Sequence, residues 1–140
     1  METNFTLSII KPNAVRTGKT GPILSMINEA GFEISAMKMI RLTRSQAERF
    51  YAVHAGKPFY ESLVDFMSSG PIVVMVLRKE NAVEQYRLLM GQTDPQKAAP
   101  GTIRHSFGVS VQMNAVHGSD SVENAYRETS FFFSETERYP

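Results

Sequence analysis

The chain has no cysteine and no tryptophan, and its 15 Lys and Arg against 14 Asp and Glu leave a net charge of only +1. Without cysteine there is no disulfide and no thiolate metal site, which fits a reducing, cytoplasmic setting. So small a net charge creates no broad basic field, so neither nucleic acid nor an anionic membrane surface is expected as a partner. Runs of about 18 apolar residues, and a charged-then-apolar leader, are both missing, so neither a membrane span nor a secretion signal is expected. Familiar phosphate-handling devices are missing too. There is no G-x-x-x-x-G-K-[ST] loop, and neither the glycine loop nor the H-R-D set of protein kinases. His54, His105 and His117 stand at no metal-type spacing with carboxylates.

What remains is an ordinary globular composition, 42% apolar and 21% charged over 140 residues. That length suits a single domain over residues 1–140 with one substantial core. No internal repeat, linker or low-complexity segment interrupts it. Phe5, Leu7 and Ile9 alternate with Thr6 and Ser8, the period of a half-buried strand, and Pro12 leaves Lys11 at its carboxyl end. A helix opened by Gly18 and Gly21-Pro22 carries Ile23, Met26, Ile27 and Ala30. A second strand over about 33–42 puts Ile34, Ala36, Ile40 and Leu42 on one face. Lys38 spoils that pattern, while Met37 and Met39 suggest that the other face is covered as well.

Thr43-Arg44-Ser45 starts a helical hairpin that is broken at Gly56-Lys57-Pro58 and ends at Ser69-Gly70-Pro71. Ile72 to Leu77 are consecutive apolar residues, expected as a central strand buried on both faces. A helix with Ala82, Val83, Tyr86, Leu89 and Met90 follows. From Gly91 to about Val109 periodicity vanishes, which predicts a long loop without structure of its own, a class that is usually functional. Val109, Val111 and Met113 then alternate towards a last strand, and a final helix starts at Ser121. Reduced to its skeleton the order is β-α-β-β-α-β, an α+β ferredoxin-like sandwich. The plan has a four-stranded antiparallel sheet, helices on one face, a helical-hairpin insertion and the long loop before the last strand.

The stretch from Asn114 to Ser121 carries the chemistry. Val116 is a strand residue, Gly118 a breaker, and Asp120 with Glu123 three residues on marks a helix start. His117 therefore sits just before a helix N-terminus, whose free N–H groups and partial positive charge suit a phosphate. An imidazole beside a phosphate is a candidate nucleophile that would become phosphohistidine. Read alone, His117 is first of all a turn histidine bonded to a neighbour, a reading that the context has to overturn. Lys11, Arg87, Thr93 and Arg104 are suitable cations and donors for phosphate oxygens. Phe59 could stack on a base or fill the hairpin core.

Asn114-Ala-Val-His-Gly-Ser-Asp-Ser121 closely resembles the N-x-x-H-[GA]-S-D-[SA] signature of the nucleoside diphosphate kinases. Supporting likenesses are Ile10-Lys11-Pro12-Asn13, Lys57-Pro58-Phe59, Met67-Ser68-Ser69-Gly70-Pro71 and Pro100-Gly101-Thr102-Ile103-Arg104, so residues about 4–133 are covered. The resemblance implies an enzyme that moves the terminal phosphate of a nucleoside triphosphate, mainly ATP, to a nucleoside diphosphate by a ping-pong route. It implies that His117 takes the phosphate, that Glu128 holds its far nitrogen with support from Ser119, and that Tyr51 lies near the transferred group. Lys11, Arg87, Thr93 and Arg104 would bind phosphates. Asn114 and Lys11 would reach the ribose, and Phe59 and Val111 would sandwich the base with little regard to its identity. Mg2+ would bridge phosphate oxygens without a dedicated protein cage. The family also implies a homo-oligomer, a tetramer or hexamer of dimers.

The sequence departs from the family pattern at Asn13, Phe50, Tyr60 and His105-Ser106. Two other classes compete with the phosphotransferase. A non-catalytic nucleotide-binding member would more naturally have lost His117 or Arg87. An RNA-binding ferredoxin-like module would want aromatics on its central strands, and Ile72 to Leu77 has none.

Overall fold

The computed structural model describes residues 3–139. Strands β1 (Phe5–Ile10), β2 (Glu33–Ile40), β3 (Ile72–Arg78) and β4 (Val116–Gly118) form one antiparallel sheet in the order β2-β3-β1-β4. The expected β-α-β-β-α-β frame is present, with its crossover helices α2 (Thr20–Glu29) and α5 (Ala82–Met90). Ile10, Val73, Met75, Leu77 and Val116 pack beneath those two helices, against Ile23, Ile27, Tyr86 and Met90.

The frame helices share one face as expected, but the other face is not bare. Leu7, Ile9, Val74 and Val76 pack there against the inserted hairpin, α3 (Arg44–Phe50) and α4 (Tyr60–Met67), and against α7 (Val122–Phe132). Helices on one face is therefore corrected to helices on both, which is why β1 and β3 are buried almost throughout. It also corrects β1 as a half-buried strand. Thr6 and Ser8 are fully buried, and the Ser8 hydroxyl shares a 2.7 Å hydrogen bond with the Tyr86 hydroxyl.

The edge strand β2 serves both layers because of a bulge between Ile34 and Ala36. The extra residue flips the side-chain alternation, so Ile34 joins the α2–α5 core and Ala36 the hairpin core. Lys38, the irregularity in the pattern, holds its ammonium over the Phe133 ring, 4.8 Å from its centre, and 3.3 Å from Glu137. Met37 and Met39 are 51% and 59% exposed, so no described residue supplies the cover expected over them.

Thr43 starts α3 with a capping box: its hydroxyl accepts from the Gln46 N–H, and the Gln46 side chain accepts from the Thr43 N–H. Arg44 bonds Asp65 and Glu61 of α4, bracing the hairpin. Two sequence expectations fail in the second half. The Gly91–Val109 stretch holds a 3-10 turn at Pro95–Lys97 and a short helix α6 (Ile103–Phe107) capped by Thr102, so it is not structureless. Val109 to Met113 is a closed turn, with Val109 N–H bonded to Met113 C=O at 2.8 Å, and β4 begins only at Val116. Pro12, expected simply to stop β1, also opens a short helix α1 (Pro12–Arg16).

Candidate active site

The pairing of β4 with β1 decides where His117 points. His117 stands opposite Ile9, whose face carries the hairpin and α7, so the imidazole emerges towards Phe50, Tyr51 and Glu128. Gly118 stands opposite Ser8 and faces the other layer. A Cβ there would come within 2.7 Å of both Tyr86 and Met90, so the strand needs glycine at this point. Just ahead of β4, Ala115 has φ 76°, and the Val116 N–H turns back to the Asn114 C=O at 2.9 Å. This is a γ-turn on a buried, non-glycine residue, a strained conformation held by its surroundings. The Ala115 C=O in turn accepts the Lys11 N–H at 2.8 Å.

Helix α7 is capped by Ser121, whose hydroxyl accepts from the Asn124 N–H, and not by Asp120 as its sequence suggests. Asp120 instead accepts from the Asn124 side-chain amide at 2.6 Å, and that bond holds its carboxyl below the usual range. Two turns into α7, Glu128 is 4% exposed and receives two donors on one oxygen. The His117 Nε2–H donates to Oε1 at 2.8 Å and the Ser119 hydroxyl at 2.9 Å. Ser119 itself accepts the Leu7 N–H at 3.2 Å, so the chain of bonds is rooted in the backbone of β1. Because the carboxylate can only accept, Nε2 carries the proton and Nδ1 keeps its lone pair.

All the expected site residues except Ser119 and Arg87 line one cleft of about 590 Å³. Ser119 lies buried behind it. Arg87, exposed on α5, lines an adjoining hollow of about 420 Å³ that shares Thr93 and Arg104 with the cleft. Lys11 donates to the Asn114 Oδ1 at 2.8 Å, and Asn114 passes its own amide N–H to the Thr93 C=O at 3.0 Å. Burial, with the charge of Arg104, pulls the Lys11 pKa down to about 7. Arg104 spends two donors on the carbonyls of Gly91 and Val116, both at 3.0 Å, while its buried Nε finds no partner among the described residues. Burial, helped by Arg87, also holds the Arg104 pKa below its ordinary range. Tyr51 is buried against Phe50, and burial, reinforced by the charge of Glu128, pushes its hydroxyl pKa up, keeping it protonated. Phe59 and Val111 stand at the mouth, 47% and 58% exposed.

The structure adds His54, Gln112, Asp120, Asn124 and Arg127 to the lining. Arg127 lies 3.5 Å from the second oxygen of Glu128 and over the Phe50 ring. Asn124 was legible in principle, since it lies four residues before Glu128 on the same helix face, whereas Arg127, adjacent to Glu128 in the chain, carried no such signal. Gln112 carries no such signal. Among the described residues no group of three or more His, Asp or Glu converges as a metal cage.

A buried acid that orients a histidine, with cations and open donors facing it across a cleft, is equipped to receive an anionic group on Nδ1. The family model for nucleoside diphosphate kinase matches residues 4–138. The chain belongs to the nucleoside diphosphate kinase family. The enzyme of Chlamydia felis (strain Fe/C-56) is 58% identical over 132 residues, covering 94% of each chain. Among solved structures, the nucleoside diphosphate kinase of Aquifex aeolicus superposes with a TM-score of 0.94 at 45% identity, covering 96% of this chain and 98% of that one. That of Halobacterium salinarum, in complex with CDP, gives 0.94 at 37% identity, covering 100% and 93%. As a nucleoside diphosphate kinase the chain is an enzyme, a nucleotide-binding phosphotransferase, and its fold is that family's ferredoxin-like fold. Neither the non-catalytic nor the RNA-binding alternative is favoured. No described helix is long and apolar enough to cross a membrane.

Proposed function

We propose that the kinase works by a ping-pong route through phosphohistidine at His117. The observation that carries this reading is the carboxylate of Glu128 on Nε2, which in the neutral ring places the lone pair on Nδ1. Nδ1 bonds to the terminal phosphorus of a nucleoside triphosphate, mainly ATP, as the bond from phosphorus to the bridging oxygen breaks and the diphosphate leaves. A second nucleoside diphosphate then takes the phosphoryl group back through its terminal oxygen, a cycle that maintains nucleoside triphosphate pools. Glu128 stabilises the positive charge that the ring gains, Ser119 steadies Glu128, and Tyr51 sits beside the transferred group. Lys11, Arg87, Thr93 and Arg104 hold the phosphates. Asn114 and Lys11 contact the ribose, and Phe59 and Val111 enclose the base. The CDP bound to the Halobacterium salinarum enzyme supports a nucleotide in this cleft.

Mg2+ fits as an ion carried in on the nucleotide. Glu128 is committed to His117 and Ser119, which leaves Asp120 as the lining carboxylate able to face such an ion. When bound it would neutralise phosphate charge. We also read the chain as a single domain over residues 1–140, cytoplasmic, and a homo-oligomer built of dimers into a tetramer or hexamer. The exposed Met37 and Met39 on edge strand β2 support a second copy, and light scattering after size exclusion measures the assembly. The deciding experiment is incubation with labelled ATP. A label that is acid-labile and base-stable, and that is absent from His117→Asn together with turnover, is expected. An acid-stable label persisting in that variant points to Ser or Thr and overturns the mechanism.

A further inference from the structure

Phe59 and Val111 belong to separate elements, one at the start of α4 and the other in the Val109–Met113 turn, and both are largely exposed. Neither is packed firmly enough to fix the distance between them. The turn is anchored below, where the Lys11 ammonium donates to the Gln112 C=O and the Asn13 amide to the Met113 C=O, both at 3.3 Å. It is closed internally by the Met113 N–H on the Ser110 hydroxyl at 3.0 Å. Its upper side is held by a single link. The Gln112 side chain crosses the mouth of the cleft to Ser62, three residues after Phe59, with Nε2 at 2.8 Å and Oε1 at 3.1 Å from the Ser62 Oγ. Among the described residues no other hydrogen bond joins α4 to this turn.

We propose that Ser62 and Gln112 form a clasp that sets the width of the slot between Phe59 and Val111, and so position the nucleoside part of the substrate. The proposal rests on the reading of Phe59 and Val111 as the base site. The pair touches neither the phosphates nor His117 through its side chains. Its effect therefore falls on affinity for ligands that carry a base and not on phosphoryl transfer. A clasp made by a serine and an amide also leaves the slot without a donor or acceptor dedicated to one base, so it tightens binding of all nucleotides alike.

The test uses the full-length enzyme, with Ser62→Ala, Gln112→Ala and the double variant, titrated with ADP and, as a base-free probe, inorganic tripolyphosphate. Losing one exposed hydrogen bond should weaken ADP binding by about two- to tenfold. Tripolyphosphate affinity and the rate of His117 phosphorylation at saturating ATP should hold. The double variant should be no weaker than the weaker single one, and Ser62→Thr, which keeps the hydroxyl, should restore binding. Phe59→Ala serves as the control for the base site. If Phe59→Ala weakens ADP binding and both clasp variants leave it unchanged, the clasp is refuted alone. Equal weakening towards ADP and tripolyphosphate also refutes it, because the pair would then be merely structural. If Phe59→Ala itself leaves ADP binding unchanged, the base-site reading falls and the clasp with it.

Discussion

Replacing Glu128 by Gln isolates one element of the site, the negative charge behind the imidazole. The geometry changes little, since an amide oxygen can still accept from the His117 Nε2–H at the 2.8 Å seen for Oε1, and Ser119 can still donate. On the proposed route, what disappears is the attraction between the carboxylate and the positive charge that grows on the ring as Nδ1 bonds to phosphorus. Two unit charges about 4 Å apart attract by roughly 4 kcal/mol at the effective dielectric of a site near a protein surface. That figure is a ceiling, because the retained hydrogen bond and solvent at the cleft mouth replace part of it. Turnover should therefore fall by roughly one to three powers of ten, or about 1.4–4 kcal/mol at the barrier. Nucleotide affinity should stay within a few-fold, since the carboxylate is taken up by His117, Ser119 and Arg127. Rapid-quench measurement of phosphohistidine formation, beside ADP titration, separates the two quantities. A variant with full turnover and lost nucleotide binding would show that Glu128 is structural and that the reasoning above is wrong.

If Lys11 holds phosphate as proposed, nucleotide binding should depend on pH. The Lys11 pKa of about 7 in the free cleft must rise when anionic phosphate arrives, so binding takes up a proton and ADP affinity should weaken between about pH 7.5 and 9, by at most tenfold per unit. Calorimetry in buffers of different ionisation enthalpy reads that uptake, and a flat profile in Lys11→Gln assigns it. The same shift bears on stability: the unfolded chain holds more protons between pH 7 and 10.5, so Lys11 makes the fold more stable as pH rises through that window. Arg44→Ala should lower the melting temperature at low salt, with the difference from the parent closing near 1 M salt, because Asp65 and Glu61 are exposed partners. A difference that persists in high salt would assign the effect to packing. Transfer should require added Mg2+ while dialysed protein holds no stoichiometric metal; one tightly bound ion per chain by elemental analysis would contradict the nucleotide-borne ion.

The frame was legible because its signals are local. The six apolar residues from Ile72, the capping box at Thr43 and the signature around His117 each act within a few residues. The second layer of helices was not, because covering the Leu7–Ile9 face depends on where the hairpin and α7 return in space. Thr6 and Ser8 read as solvent-facing for the same reason, since a hydroxyl reveals nothing of the tyrosine that will meet it 78 residues later. The bulge at Ile34–Ala36 was invisible because a shift of one residue leaves an apolar strand looking regular. At the site, the family likeness named the eleven residues, and the cleft gathers all but Ser119 and Arg87. Gln112 escaped notice because its partner is 50 residues away on another element.

The tight turn at Ala115 has a consequence for how the enzyme fails on heating. Two backbone bonds hold it, Lys11 N–H on the Ala115 C=O and Val116 N–H on the Asn114 C=O, immediately ahead of His117. A left-handed alanine cannot relax by degrees: once released it returns to an ordinary conformation and carries β4 out of register. Partial loosening that keeps a working His117 is thus not open to the molecule, and the amides of Lys11 and Val116 should exchange with solvent only when the whole fold opens. Loss of activity with temperature should then track global unfolding, with no earlier inactive but folded stage.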